Sequence, residues 1–303
     1  MLWLNDYLRD RASSVTLQDV ISKPFQRMSG VPQGTVLAPY IFAAFFGDYR
    51  CTGNLGNAVG CVKYADDLTL ILPIYDTDSA HVNEIVLTTV NDVSNWCERN
   101  NLSLNVSKSK AVICLKNSDL RNPSLYSFPV DIVPSVNILG ITISETLSWE
   151  AHVNNIIKVV NKRFYVLRKL RPFVSSDELH QVYTSYVRSV CEYACPVFVS
   201  LNRILNNRLA RVDKRAHMII FRDDPRTCQC SLREIENRRL LISKQLFIKA
   251  ESDNTHTLHK LTPERLLHTG VPCVPLCRTV KMKDSFFPFM ASFMCKTQSR
   301  RPP

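Results

Sequence analysis

The hydrophobic pattern of the first half of the chain mixes helical and strand periods. Between residues 78 and 99, apolar side chains recur at every third or fourth position, which predicts an amphipathic helix with its C-cap at Asn100 and Asn101. The stretch Val36–Tyr49 is largely apolar and predicts a mostly buried helix. Short apolar runs predict strands at four places: 58–63, 68–72, 111–115 and 138–143.

The second half carries helical stripes. One stripe runs from Val153 to Leu167, and a capping box formed by Ser175 and Glu178 predicts the start of the next helix. A third helix is predicted over Asn202–Phe221. The change of pattern predicts an α+β chain in three parts: 1–147, 148–222 and 223–303.

Charge divides the chain in the same way. Residues 1–150 contain 11 Lys and Arg against 15 Asp and Glu, a net charge of −4, whereas residues 151–303 contain 27 against 12, a net charge of +15. Such an excess is larger than solubility requires and favours a polyanionic partner.

The excess charge is carried by predicted helices. At 100° per residue, Lys158, Lys162 and Lys169 fall within about 40° of one another, opposite the apolar stripe. The third helix is similarly basic, through Arg208, Arg211 and Arg215. We expect these six side chains to contact the phosphate backbone of nucleic acid, and the alternative is an ordinary solvated face.

The candidate for metal chemistry is the segment between the first two predicted strands, Tyr64-Ala65-Asp66-Asp67. Paired carboxylates on a rigid hairpin suit Mg²⁺, which prefers oxygen ligands. Because neighbouring side chains of a strand point to opposite faces, one carboxylate is expected to be the principal ligand and the other a helper. An ordinary Asp-containing turn is the alternative.

About thirty residues earlier lies a glycine-bearing loop, Ser29–Gly34, which precedes the predicted buried helix. Gly30 and Gly34 allow the backbone to approach a flat ligand closely, and Gln33 offers both a donor and an acceptor there. The alternative is a glycine loop that simply leads into a helix.

Cysteine usage and hydropathy indicate the compartment. Asn5 and Asp6 interrupt the apolar N-terminus, so a secretory leader is not expected, and the longest uncharged apolar run, Val36–Phe46, is too short to span a bilayer. We therefore expect an intracellular protein, cytoplasmic or nuclear and not secreted, with no membrane contact. The 11 cysteines are expected to be reduced and buried, with no disulfides.

Together, these motifs resemble one family. Ser29–Gly34 with Leu37-x-Pro39, followed by Tyr64-Ala65-Asp66-Asp67, resembles the palm of the reverse transcriptases encoded by non-LTR (LINE-like) retrotransposons. The similarity continues through Leu104-Asn105-x-x-Lys108 and Leu139-Gly140-Ile141 to Trp149-x-x-His152, and it extends to about residue 290.

The resemblance implies a partial polymerase palm, an antiparallel sheet with helices, followed by a basic helical thumb and a C-terminal region. It implies an RNA-directed DNA polymerase acting on an RNA template and a DNA primer with two Mg²⁺ ions. Asp66 and Asp67 match catalytic metal ligands, Tyr64 a residue near the primer terminus, and Lys108 a lysine near the triphosphate. Gly30, Gln33 and Gly34 match residues of the family's loop that packs against the template and the incoming nucleotide.

One catalytic aspartate of the family has no counterpart among the motifs of this chain. The palm uses another aspartate on a strand before the first helix, whereas Asp6 and Asp10 lie on one face of a predicted helix and are interpreted as solvated. We therefore expect an N-terminally truncated polymerase, without fingers or first catalytic strand, that is inactive by itself. The alternatives are a non-catalytic nucleic-acid-binding remnant of a decayed element and a group II intron maturase-like protein.

Overall fold

The computed structural model describes residues 2–27, 30–32, 34–51, 60–74, 78–115, 119–221, 234–264 and 272–298. The chain divides into two compact units, the first formed by residues 1–109 and 122–131 and the second by 110–121 and 132–303. Helices and small antiparallel sheets occur together, in agreement with the predicted α+β class. The predicted domain boundaries at 147 and 222 stay predictions.

The elements of the first unit are short, apart from one long helix. The helices are α1 (Leu2–Leu8), α2 (Ala38–Phe46) and α3 (Ser79–Arg99). The strands are β1 (Ala12–Ser13), β2 (Thr16–Leu17), β3 (Val20–Ile21), β4 (Phe25–Gln26), β5 (Gly60–Tyr64) and β6 (Asp67–Ile71). β1 pairs with β4, and β2 with β3, in a nested hairpin that hydrophobic periodicity does not predict because each strand has two residues.

A cluster centred on Trp96 is the core of the first unit. Trp96 meets the rings of Phe46 and Tyr49 edge-on, at centroid distances of 5.2 and 5.5 Å. Val93 and Cys97 complete this Trp96 cluster from α3, which confirms the predicted amphipathic helix. Asp78 caps the start of α3 by accepting a hydrogen bond from the backbone N–H of Ala80, and Asn100 caps its end, as predicted.

The prediction of a mostly buried helix over residues 36–49 is wrong in length and burial. α2 has nine residues, and Ala38 and Phe46 are its buried ones. Tyr40 is 72% exposed. The reason is geometric: a helix this short meets the Trp96 cluster along one side, so its remaining apolar side chains lie outside the core.

β5 and β6 form the hairpin predicted around Tyr64-Ala65-Asp66-Asp67. The strands are antiparallel, with Lys63 opposite Leu68 and Tyr64 opposite Asp67. Leu68 and Leu70 pack against the Trp96 cluster. Because cross-strand partners share a face, Lys63 lies on this inner face.

Lys63 fastens the hairpin to the end of α2. Its ammonium nitrogen donates hydrogen bonds to the carbonyl oxygens of Phe46 at 2.8 Å, Gly47 at 3.3 Å and Tyr49 at 2.8 Å. Carbonyls at a helix C-terminus lack partners within the helix and carry partial negative charge, so a cation is favourable there. Burial of the amine lowers the pKa of Lys63.

The second unit is mainly helical and contains the predicted helices. The helices are α4 (Glu150–Leu170), α5 (Ser176–Val182), α6 (Ser189–Glu192), α7 (Arg203–Ile220), α8 (Glu234–Ser252), α9 (Val280–Lys283) and α10 (Phe286–Gln298). A π-helical segment, Tyr183–Arg188, joins α5 to α6. The capping box predicted at Ser175 and Glu178 is confirmed.

Four further strands are short. They are β7 (Lys110–Ala111), β8 (Asp131–Ile132), β9 (Ser135–Ile138) and β10 (Ile141–Ser144). The strand predicted over residues 111–115 is therefore wrong beyond Ala111. β9 and β10 form an antiparallel hairpin at the position of the strand predicted near 138–143.

The core of the second unit is built on one side of α4. Val153, Val160 and Leu167, spaced by seven residues, are fully buried among α5, α7 and the π-helical segment. Tyr183 donates a hydrogen bond to the buried carboxylate of Asp213, and Asp213 also accepts one from the backbone N–H of Ile235, 3.1 Å away. Asp213 thereby links the π-helical segment and α7 to the start of α8.

The C-terminal helices are tied to this core by a buried arginine. The guanidinium of Arg239 lies 4.9 Å from the ring centroid of Phe198. It donates hydrogen bonds to the Phe198 carbonyl oxygen at 2.7 Å and to Oδ1 of Asn206 at 3.1 Å. Beyond it, α8 and α10 pack through a second cluster of Phe247, Met290, Ala291 and Met294.

The β9–β10 hairpin is attached to α4 through its second strand. The backbone N–H of Thr142 donates to Nδ1 of the buried His152 at 3.3 Å, and Asn155 donates to the Thr142 hydroxyl at 2.9 Å. Burial, followed by the positive charge of Arg239, lowers the pKa of His152. The imidazole is thus held neutral, as an Nδ1 acceptor must be.

The tip of the same hairpin has an uncommon backbone. Both central residues have positive φ, 49° at Leu139 and 82° at Gly140, the feature of a type I′ turn. The hydroxyl of Tyr193 donates to the Leu139 carbonyl oxygen at 2.8 Å. A Cβ on Gly140 would lie 3.3 Å from the Tyr193 ring.

The described cysteines are free, as expected from their predicted reduced state. Cys97, Cys191 and Cys195 are buried. The expectation of burial is wrong for the exposed thiols, which are Cys61, Cys114 and Cys273. Among the helices of the described ranges, none combines the length and the apolar character needed to cross a membrane.

The turn at the tip of the β9–β10 hairpin predicts that substitutions at its two central residues change the stability in opposite directions. Leu139→Asn should raise the free energy of unfolding by about 0.5–1 kcal/mol, because asparagine tolerates the left-handed backbone better than leucine. Gly140→Ala should lower it by about 1–2 kcal/mol, because a Cβ is unfavourable at that φ and crowds Tyr193. Urea unfolding of the three proteins measures both changes, and equal signs would contradict the turn assignment.

The anchoring role of Lys63 predicts a loss of stability when its charge is removed. Lys63→Met keeps the apolar stem but removes the side-chain donor to the Phe46 carbonyl oxygen, while Arg50 still donates to the carbonyl oxygens of Gly47 and Tyr49. The loss should lower the free energy of unfolding by about 1–3 kcal/mol. Lys23→Met, at an exposed lysine of the same unit, is the matched control and should change it by less than about 0.5 kcal/mol. Similar losses in both variants would argue against the anchor.

Candidate functional site

The two candidate metal ligands lie at the tip of the β5–β6 hairpin. Asp66 is in the turn, and Asp67 is the first residue of β6. Ala65, the other turn residue, has φ of 50°, in the region that disfavours residues with a Cβ. Both carboxylates are exposed, as is Tyr64, which lies opposite Asp67 and therefore on the same face of the hairpin.

The tip offers part of a metal site. Two adjacent carboxylates suit one hard cation that keeps several waters. No group of three or more His, Cys, Asp or Glu side chains that could hold a metal occurs among the residues that the structure describes. The described residues therefore do not fit a complete two-ion centre.

The glycine loop has the backbone that its sequence predicts. Gly30 and Gly34 have φ of 79° and 80°, and a Cβ at either position would meet no atom of the other described residues within 4 Å. The surface beside both glycines is therefore open to a ligand. Gln33, the predicted polar contact of this loop, lies outside the described residues.

Two side chains from the N-terminal segment hold this loop. Arg11 donates to the carbonyl oxygen of Gly30 at 2.6 Å. The Tyr7 hydroxyl donates to Thr35 Oγ1 at 2.9 Å, and Thr35 in turn donates to the Pro32 carbonyl oxygen at 3.0 Å. Sequence reasoning misses Arg11 and Tyr7, because partners 19 and 28 residues apart leave no periodic signal.

Lys108 ends a short 3₁₀ turn, Val106–Lys108, and its side chain is exposed. The side chain of Asn105 caps this turn by accepting from the Lys108 backbone N–H at 3.2 Å. Just before the turn, Leu102 and Leu104 pack against the Trp96 cluster.

The Trp96 cluster connects three of the predicted elements. It contacts α2, which follows the glycine loop, and it contacts the inner face of the hairpin and the segment that leads to Lys108. One core thus supports the glycine loop, the carboxylates and the lysine turn within the first unit. The chemical roles of Gly30, Gln33, Gly34, Tyr64, Asp66, Asp67 and Lys108 stay predictions.

The predicted lysine row lies on the free side of α4. Lys158, Lys162 and Lys169 are all exposed, and the opposite side of the helix carries the buried apolar stripe. Their ammonium groups are therefore accessible to phosphate, although contact with nucleic acid stays a prediction.

The predicted arginines of α7 are partly engaged with α4. Arg208 donates to Oδ1 of Asn154 at 2.5 Å, and Arg215 donates to Oδ1 of Asn161 at 2.8 Å. The partners are seven residues apart on both helices, so the two bonds repeat along the α4–α7 contact.

These bonds bring the arginines next to the lysine row. On a helical wheel, Asn154 and Asn161 lie about 40–60° from Lys158, on the side between the lysine row and the buried stripe. Arg211 is exposed on the same edge of α7. Sequence reasoning misses the asparagines, although their matching seven-residue spacing is a usable signal.

Comparison with known proteins supports the predicted resemblance. Residues 1–143 match the family model described as reverse transcriptase (RNA-dependent DNA polymerase). Similarity extends further in two Drosophila melanogaster proteins. The probable RNA-directed DNA polymerase from transposon BS is 27% identical over 227 residues, which are 70% of this chain and 24% of that protein. The probable RNA-directed DNA polymerase from transposon X-element is 23% identical over 223 residues, which are 69% and 24%.

The chain spans about a quarter of the length of these curated relatives. The matched residues 1–143 include the glycine loop, the carboxylate hairpin and Lys108. These matches confirm the predicted resemblance to a reverse transcriptase domain of the non-LTR, LINE-like retrotransposon type.

Proposed function

We propose that residues 1–147 are the palm of a retrotransposon reverse transcriptase and that residues 148–222 are its thumb. The proposal is carried by the β5–β6 hairpin, which presents Asp66 and Asp67 at an exposed tip within the matched residues. Its inner face is fixed by Leu68, Leu70 and Lys63, so the tip is held on a rigid support.

Each candidate residue has a role in this palm. Asp66 and Asp67 would hold a Mg²⁺ ion, whose charge would lower the barrier to phosphodiester formation by stabilising the reacting oxygens. Tyr64 lies beside the primer terminus, and Lys108 contributes positive charge near the triphosphate. Gly30, Gln33 and Gly34 form the loop against the template and the incoming nucleotide, with the open surface at both glycines in support.

The thumb binds the template–primer duplex through its phosphates. The exposed lysine row and the arginines tied to Asn154 and Asn161 form one basic surface along α4 and α7. Contacts of this kind depend little on sequence and weaken with salt, because binding releases counterions from the nucleic acid.

We further propose that these 303 residues bind template–primer without extending it. Positioning and charge supply most of the rate in phosphoryl transfer, and two carboxylates at an exposed tip do not hold two ions in place. The same behaviour is expected of a non-catalytic remnant of an element, so binding and synthesis have to be measured separately.

Binding should respond to salt through the lysine row. With an RNA–DNA duplex, replacing Lys158, Lys162 and Lys169 with Gln should reduce the slope of log Kd against log salt by about 2–3. The matched control replaces the exposed Lys249, Lys260 and Lys283 and removes the same charge. Equal changes of the slope in the two triple variants, or a Kd that does not change with salt concentration, would refute the thumb assignment.

Primer extension should be absent in the same preparation that binds. With an RNA template, a DNA primer and either Mg²⁺ or Mn²⁺, the 303-residue chain should add no nucleotides. Template-dependent synthesis that disappears in Asp66→Asn would disprove the inactivity and would at once establish the role of Asp66.

A further inference from the structure

The lysine row of α4 also carries an exposed aromatic ring. On a helical wheel, Tyr165 falls about 20° from Lys158 and about 40° from Lys169, at the edge of the row. Its side chain is 61% exposed, although tyrosine can be buried wherever its hydroxyl finds a partner. The lysine face of α4 therefore also presents one aromatic ring.

A second ring extends this face beyond the end of the helix. Phe173 is 83% exposed and follows Pro172 in the turn after α4. Its backbone N–H donates to the Leu170 carbonyl oxygen at 2.9 Å, so the turn is hydrogen-bonded to the helix end. Tyr165, Arg168, Lys169, Pro172 and Phe173 together line an open cavity of about 530 Å³.

The charged residues that line this cavity, Arg168 and Lys169, are both cations. Residues 151–176 include no Asp or Glu, and their cations are Lys158, Lys162, Arg163, Arg168, Lys169 and Arg171. The next acidic residues along the chain are Asp177 and Glu178, and the Glu178 carboxylate accepts the N–H and the hydroxyl of Ser175, each at 2.8 Å. Lys169 Nζ lies 5.7 Å from the centroid of the Tyr165 ring.

We propose that the cavity between Tyr165 and Phe173 binds an unpaired base of a single strand that adjoins the duplex held by the lysine row. A single strand offers base faces that stack on aromatic rings, whereas the bases of a duplex already stack on each other. Two exposed rings among cations match this combination of apolar faces and regular negative charge. This inference rests on the proposed binding of nucleic acid by the lysine row, and it specifies what occupies the cavity at the end of the row.

The test removes the rings and leaves the charges. A double variant, Tyr165→Leu with Phe173→Leu, is compared with a ring-preserving double variant, Tyr165→Phe with Phe173→Tyr. Fluorescence anisotropy measures Kd for three probes of equal length: a single strand, the same strand with its bases removed at abasic sites, and a blunt RNA–DNA duplex. Thermal unfolding confirms that both variants remain folded.

The leucine variant should bind the intact single strand about tenfold more weakly or worse, whereas its affinity for the duplex and the abasic strand should change by less than about twofold. The ring-preserving variant should match the wild type on all three probes. An unchanged Kd for the single strand, or an equal loss on the duplex, would overturn the stacking site while leaving the thumb proposal intact. Failure of the wild type to bind any probe would overturn both.

Discussion

Burial of one side of α4 is the constraint on which the second unit depends. Val153, Val160 and Leu167 are fully buried, and each such side chain contributes roughly 1.5–3 kcal/mol relative to exposure. Because this stripe has to face α5 and α7, the rotation of α4 about its axis is fixed. The opposite face, with Lys158, Lys162 and Lys169, is then directed to solvent. Exposure of the cations is thus a consequence of the core.

The first unit is likewise organised by burial of apolar side chains, around a smaller core. Apart from α3, its helices and its hairpin are short, so Trp96 and its neighbours pack against several of these elements at once. The hairpin also has a polar attachment, because the Lys63 ammonium group donates hydrogen bonds to carbonyl oxygens at the end of α2. Apolar packing and a charged helix cap therefore act on the same strand pair, two positions away from the turn that carries the carboxylates.

Periodicity and capping rules predict much of this fold, and the failures have physical causes. The long helices α3, α4 and α7 and the box at Ser175 are predictable because each buries a regular stripe or obeys a local hydrogen-bond pattern. The nested hairpin of β1–β4 and the shortness of β7 are not, because strands of two residues have no period. Of the candidate site, the hairpin and the backbone freedom of the glycine loop are predictable, whereas Lys63 and Arg11 act across distances in sequence that local patterns do not encode.

The asparagine contacts make the two kinds of cation on this surface unequal. Arg208 and Arg215 each lose rotamer freedom when the chain folds, since one guanidinium nitrogen is already bound to Asn154 or Asn161. A long side chain loses up to about 2 kcal/mol of conformational entropy when it is immobilised. For these arginines part of that loss occurs on folding, whereas the exposed lysines would lose theirs only on binding a phosphate. The surface therefore combines fixed cations with adjustable ones. In the proposed role, this would allow it to hold a nucleic-acid backbone in register while tolerating variation in its path.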